Sequence, residues 1–260
     1  DLLPEIPEGG QWANFLRNYD ELNVGRLPPE ARRTVFDAFA PDEGMRIYDR
    51  GIRRRLAPML DGDRDRIELA YSLLYSLPGT PLLVYGDEIG MGDDLSLPGR
   101  SAVRTPMQWA DERNAGFSAA DPDDLVRPVI SGGGFGYESV NVADQRGDPD
   151  SLLQWFSRLN RLRTECPEVG HGDCEMLPVD DPAVFAHRMA SDHGRVAAVH
   201  NLGAEPTTAT LDLGARPTRL FGDAEFERVG GDGASETDAG EWRFELGRYG
   251  YCWVRIGEKI

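Results

Sequence analysis

The sequence predicts an α/β region of the strand–helix kind that builds (β/α)8 TIM barrels, followed by an all-β region folded as an antiparallel β-sandwich. Three observations carry this reading. Residues 64–77 keep Ile67, Ala70, Leu73, Leu74 and Leu77 on a 3.6-residue period, and Pro78-Gly79 ends the run. The short apolar stretch Leu82, Leu83, Val84, Tyr85 that follows reads as a parallel strand covered on both faces, so the three pieces form one αβ half-repeat. From about residue 172 the period switches to alternating short strands separated by turn residues. The predicted division is therefore 1–168 for the barrel part and 172–260 for the sandwich.

Residues 1–10 (DLLPEIPEGG) read as a loop running into a strand that holds Trp12, Phe15 and Leu16. Pro28-Pro29 before Glu30 and Ala31 marks a helix start, because proline is tolerated in the first turn; Val35, Phe36 and Phe39 then fall on one face. The basic run Arg53, Arg54, Arg55 reads as a solvated face, with ion pairing to a part outside this chain as the other reading. Residues 90–149 are rich in Gly, Pro and Asp, and a loop this long is expected to be functional or disordered. Its SGGGFG segment (131–136) is no phosphate loop, since no Lys and Ser/Thr follow it. Leu152, Phe156 and Leu159 define a last barrel helix, and Arg158, Arg161 and Arg163 load its C-terminal half, where cations oppose the helix dipole. The six expected strands cover 184–189, 195–202, 207–213, 218–222, 241–247 and 250–256, with a hairpin at 191–194 and a polar flexible loop at 230–240.

With 28 basic and 45 acidic residues the formal charge is −17, which argues against nucleic acid and anionic membrane surfaces as partners. The acidity is spread along the chain and reads as solubility. The three cysteines (Cys166, Cys174, Cys252) form no CxxC or Cys/His cluster, so no metal site is expected; a Cys166–Cys174 bridge is geometrically conceivable but unneeded. Cytoplasmic location is the expectation, with no signal-peptide pattern and no apolar run of about 18 residues.

The most informative stretch is QWANFLRNYDEL (11–22). Its apolar part stops abruptly at Arg17, Asn18, Tyr19, Asp20 and Glu21. In a barrel, strand ends of this kind converge at the C-terminal face and carry the chemistry. The competing reading is a helix N-terminus capped by Asn18 or Asp20. Gly86-Asp87-Glu88 places a second pair of carboxylates after the strand expected at 82–85. Arg104 reads as a buried partner of Asp87 or Glu88, or equally, by the resemblance given below, as a residue beside a substrate entrance. Trp109 reads as core before it reads as an exposed stacking platform for a ligand.

FLRNYDEL (15–22), GIRRRLAP (51–58), SLPGTPLLVYGDEIGMG (76–92), VRTPMQW (103–109) and RNAGFS (113–118) together resemble the C-terminal portion of an α-amylase-clan glycoside hydrolase, in the trehalose synthase and α-glucosidase branch. The resemblance implies the last two barrel strands, their helices and a β-rich tail. It implies retaining cleavage of an α-glucosidic bond, leaning toward maltose–trehalose interconversion. It places Asp20 as the transition-state-stabilising carboxylate, and Asn18, Tyr19, Glu21 and Arg104 at the substrate. The nucleophile and acid/base motifs of the resembled enzymes have no counterpart in this chain, so the N-terminal barrel part is expected as a necessary partner, with a homo-oligomer as a further expectation. No cofactor is expected here, any calcium site of such enzymes falling in the N-terminal part. One departure stands out: those enzymes usually have His where this chain has Tyr19. A non-catalytic fragment, or a carbohydrate-binding or scaffold paralogue, is the alternative.

Overall fold

The computed structural model describes residues 7, 9–229 and 240–257. The expected 230–240 loop, except Gly240, and most of the expected 1–10 loop lie outside the described residues. The chain packs as two compact units, one of residues 1–14, 68–81 and 158–260, the other of 15–67 and 82–157.

In the first unit the β-rich region is antiparallel, as expected. A five-stranded sheet runs in the order Pro217–Gly222, Tyr251–Ile256, Gly194–Asn201, Val184–Ser191, Asp173–Met176. A three-stranded sheet runs Glu225–Arg228, Glu241–Leu246, Thr207–Asp212. Val184, Ala186, Ala197, Val199 and Val254 of the larger sheet share one core with Ala209, Leu211, Phe244 and Leu246 of the smaller. Every residue of Tyr251–Ile256 is buried, because strands flank it on both sides and both its faces are covered. The 191–194 hairpin closes with Ser191 opposite Gly194.

Polar groups seat the helix Arg64–Ser76 against the larger sheet. Trp253 Nε1 donates to Ser72 Oγ at 2.9 Å, Ser72 lies 3.0 Å from His200 Nε2, and Tyr251 OH donates to Glu68 at 2.7 Å. Burial, then the neighbouring His187, pushes the His200 pKa down to about 3. Arg163 lies in the last turn of its helix, Leu152–Glu165, as expected, and does more than face the dipole there. Its guanidinium donates to the carbonyls of Tyr75 and Gly79 and so clamps the end of the helix Arg64–Ser76.

That clamp leads into a two-stranded parallel pairing, Ala13 opposite Thr80 and Asn14 opposite Pro81. The pairing falls two residues before the strand expected at 82–85, and Leu82 is 48% exposed. The strands Ala13–Asn14 and Thr80–Pro81 pair only with each other among the described residues, and the run 82–85 beyond them is not a strand, with Leu82 exposed and Val84 buried. Gly79 makes the approach possible: at φ +109° its missing Cβ would lie 2.8 Å from the Trp12 carbonyl oxygen.

In the second unit the helix Pro29–Phe39 buries Phe36 against Val24, Ala40, Ile52 and Met59. Three two-residue strands, ordered Leu22–Asn23, Gly51–Ile52, Arg46–Ile47, form an antiparallel sheet directly after the Asp20-Glu21 pair. The long 90–149 segment is irregular, and buried amides stitch it together. Gln108 Nε2 donates to the carbonyls of Phe135 (3.1 Å) and Val140 (2.6 Å). Asn114 Nδ2 reaches those of Ser118 and Ala120, both at 2.9 Å. Met107, Ile89, Met91 and Val142 supply an apolar cluster beneath it.

The arginine run corrects the solvated-face reading. Arg53 and Arg55 are buried. Arg53 donates to four carbonyls, those of Gly44, Leu95, Leu97 and Gly99. Arg54 Nε lies 3.4 Å from Asp93, and Arg55 lies 3.5 Å from Asp87. Apart from the Gly44 carbonyl, these partners are carboxylates and carbonyls of the 87–99 segment, which the local sequence around the run does not reveal. The three cysteines carry free thiols, Cys166 and Cys252 buried and Cys174 exposed. Among the described residues no helix is long and apolar enough to cross a membrane.

Candidate active site around Asp20

No helix follows Asn18 or Asp20, which removes the helix-cap reading. Asn18 Oδ1 instead accepts from the Asp20 backbone N–H at 2.9 Å, a local turn that presents the Asp20 side chain outward, 51% exposed. Beneath it, buried Arg17 holds the main chain. Its Nε donates to the Arg54 carbonyl (2.6 Å) and its Nη2 to the carbonyls of Asp20 (3.2 Å) and Ile52 (3.3 Å). The charged cluster that ends the apolar run is thus a loop pinned from below.

Two arginines approach the Asp20 carboxylate, both at Oδ1: Arg104 Nη2 at 2.8 Å and Arg100 Nη1 at 3.3 Å. Arg104 also donates from Nε to the Tyr19 carbonyl at 2.9 Å. The reading of Arg104 as a buried partner of Asp87 or Glu88 is corrected here: its carboxylate partner is Asp20, and Asp87 pairs with Arg55.

Glu21 points the other way. Its side chain is 5% exposed, with Oε2 2.7 Å from Arg100 Nε and Oε1 3.7 Å from Arg50. The Arg100 hydrogen bond holds its carboxyl below the ordinary range against the opposing effect of burial. A carboxylate so occupied has little left for a sugar, which sets it apart from Asp20.

The Tyr19 ring is 48% exposed and lies 5.9 Å from that of Tyr85, tilted by 35°. Tyr85 is fixed on three sides: its OH donates to the Thr105 carbonyl at 2.6 Å, its own carbonyl accepts from Arg55 at 2.8 Å, and the Arg55 guanidinium lies 5.0 Å from its ring centre. Glu88 is tied back to the Gly86 N–H at 2.7 Å.

Arg104 links this cluster to a cavity of about 680 Å³, lined also by Tyr85, Glu88, Met107, Trp109 and Phe117. Trp109 is 47% exposed and Phe117 51%, which corrects the reading of Trp109 as core. Its backbone N–H bonds to Ala115 in a turn where Asn114 and Ala115 take left-handed φ, and this turn holds the indole out of the interior. Arg100 and Tyr85 escaped the sequence reading. The signal for Arg100 was its spacing: it precedes Arg104 by four residues within the turn Gly99–Val103.

Residues 52–172 match the model of the α-amylase catalytic domain. A trehalose synthase of Pimelobacter sp. (strain R48) is 42% identical over 264 residues, covering 98% of this chain and 44% of that protein. The trehalose synthase/amylase TreS of Mycobacterium tuberculosis (strain CDC 1551 / Oshkosh) is 44% identical over 234 residues, 87% of this chain and 39% of that protein. The chain thus spans less than half the length of these curated relatives. The crystal structure of Bacillus licheniformis trehalose-6-phosphate hydrolase shares the fold, with a TM-score of 0.62 at 21% identity over 96% of this chain and 44% of that one. Over nearly its whole length the chain is similar to α-amylase-clan enzymes, in the glycoside-hydrolase branch that holds trehalose synthases and α-glucosidases.

Proposed function

We propose that this chain supplies the Asp20 side of a retaining α-glucoside active site, acting on maltose, trehalose or a related small α-glucoside. Retaining cleavage needs a nucleophile and an acid/base about 5 Å apart around an oxocarbenium-like transition state. Neither has a counterpart among these 260 residues, so both come from an N-terminal barrel part. Asp20 is the third carboxylate, holding sugar hydroxyls beside the reacting carbon and offsetting the developing positive charge. Asn18, Tyr19 and Arg104 border the same sugar, while Glu21 supports them from inside. Maltose–trehalose interconversion is the reaction this reading leans toward, in keeping with relatives named trehalose synthase, and it requires a closed site that keeps water from the glucosyl intermediate.

The observation that carries this reading is the exposed Asp20 carboxylate, bound by arginines on one oxygen and joined through Arg104 to an aromatic-lined cavity. The test is complementation. The 260-residue chain alone is expected to turn over neither maltose nor an aryl α-glucoside, and joining it to the N-terminal barrel part is expected to restore turnover. In the joined enzyme Asp20→Asn should lower kcat by roughly two to three powers of ten, the usual worth of such an electrostatic group at about 3–4 kcal/mol. Turnover by the isolated chain, or a loss under about tenfold in Asp20→Asn, would defeat the assignment.

A further inference from the structure

We infer that Arg100 is a positioning residue for Asp20, anchored by the buried Glu21, and that this pair sets which Asp20 oxygen meets the sugar. The inference rests on the reading of Asp20 given above.

Consecutive carboxylates normally repel and splay. Here one guanidinium bridges them: Arg100 Nε lies 2.7 Å from Glu21 Oε2 and Nη1 3.3 Å from Asp20 Oδ1. The planar fork of arginine can hold two acceptors in fixed relation, which a lysine ammonium cannot. Glu21 is itself tightly packed. It lies against Gly51, where an added Cβ would come within 2.4 Å of Glu21 Cγ, and Arg50 occupies its other oxygen at 3.7 Å. Arg100 is held in turn from two further directions. Its guanidinium lies 5.7 Å from the Tyr48 ring centre, and its loop is tied down by Arg53, which donates to the Gly99 carbonyl at 3.1 Å. Tyr48 and Asp49 both adopt left-handed φ (57° and 55°), a conformation that non-glycine residues keep only where surrounding contacts impose it.

The consequence falls on Asp20. Arg100 and Arg104 both meet Oδ1, so the charge compensation sits on one oxygen and Oδ2 is left for a ligand hydroxyl. Arg104 borders the cavity and belongs to the binding surface; Arg100 reaches Asp20 from the Glu21 side and does not line the cavity. Removing Arg100 should let the carboxylate rotate, which harms the geometry of the reacting complex more than the affinity for the ground state.

The experiment compares kcat and KM for maltose in the complete enzyme, this chain together with its N-terminal barrel part. Arg100→Ala is expected to lower kcat by about 10- to 100-fold, the range a displacement of this kind produces, with KM changed by less than about threefold. Added guanidinium ion at millimolar concentration should recover part of the loss, which it would not do for a merely structural defect. Arg100→Lys, the gentler variant should Ala fail to fold, is expected to remain impaired because it cannot bridge both carboxylates. Glu21→Gln should lower kcat in the same direction, and the double variant Glu21→Gln/Arg100→Ala should be no worse than Arg100→Ala alone. Full activity in Arg100→Lys, or a loss in Arg100→Ala that guanidinium leaves untouched, would overturn the inference. Asp20→Asn assayed in parallel separates the two levels: if it is harmless the reading of Asp20 fails, whereas if it is crippled and the Arg100 variants are not, only the positioning role falls.

Discussion

Arg55 and Asp87 face each other at 3.5 Å with side chains 3% and 4% exposed, 32 positions apart in the chain. The pair joins the segment after the Gly51–Ile52 strand to the turn that follows Thr80–Pro81. The same guanidinium covers the ring of Tyr85, so the ion pair forms the floor beneath the Tyr19–Tyr85 contact. Removing one member of a buried pair leaves the other charge desolvated and uncompensated, at a cost of about 3–5 kcal/mol. Asp87→Ala is therefore expected to lower the unfolding free energy by that amount in urea denaturation. Replacing both residues by apolar ones, Arg55→Met with Asp87→Leu, should cost less than the two single changes summed. A loss below about 1 kcal/mol in Asp87→Ala would place this pair with weak surface bridges instead.

Much of the fold was legible because it depends on period. The helices over 30–40 and 64–77 and the strands from 184 onward carry apolar residues at the spacing their geometry demands. Asp173–Met176 was not legible: it is exposed along its whole length as an edge strand, so burial imposes no alternation on it. The two-residue strands around Gly51–Ile52 are too short to carry any period. At the site, the outward-facing Asp20 was visible as a charge cluster ending an apolar run. Its support was not, because Arg17, Arg53 and Arg100 act through carbonyls and carboxylates distant in sequence. A string of arginines looks the same whether it meets water or main-chain oxygen.

The helix–sheet seat of the first unit makes its stability depend on acid. His200 is fully buried, and its pKa falls from an ordinary 6.5 to about 3. Between those values the unfolded chain binds a proton that the folded chain refuses, so stability falls as pH drops from about 6.5 toward about 3. Glu21 adds in the same direction at the lower end, since its lowered pKa contributes stability above its ordinary value of 4.5 that is lost as pH falls through the folded value. Urea midpoints measured from pH 7 to pH 4 should decline steadily, with up to about a tenfold change in the unfolding equilibrium per pH unit from His200 alone. His200→Gln, which offers an amide to Ser72 and no titration, should flatten the part of that decline above pH 5. An unchanged slope in that variant would show that His200 charges without unfolding the sheet.

Tyr19 is where this chain departs from the enzymes it resembles, and its surroundings define what the tyrosine can do. The main chain is held by Arg104 through the carbonyl, and the ring rests near Tyr85, while the hydroxyl makes no hydrogen bond among the described residues. On the function proposed above, a phenol at this place can donate one hydrogen bond to a glucose hydroxyl but cannot become cationic near neutral pH. Tyr19→Phe in the complete enzyme should then lose one hydrogen bond, about 0.5–1.5 kcal/mol, and reduce kcat/KM roughly two- to tenfold. Tyr19→His should be tolerated or improve activity, because the imidazole also donates and the neighbours Asn18, Asp20 and Arg104 are in place to receive it. It should also bring a titration near about 6.5 into the pH–rate profile that the tyrosine enzyme lacks. Kinetics of the three versions on maltose and trehalose across pH 5–8 read all of this together. A neutral Tyr19→Phe combined with an inactive Tyr19→His would mean that the ring only fills space beside Tyr85, and that the site has moved away from catalysis.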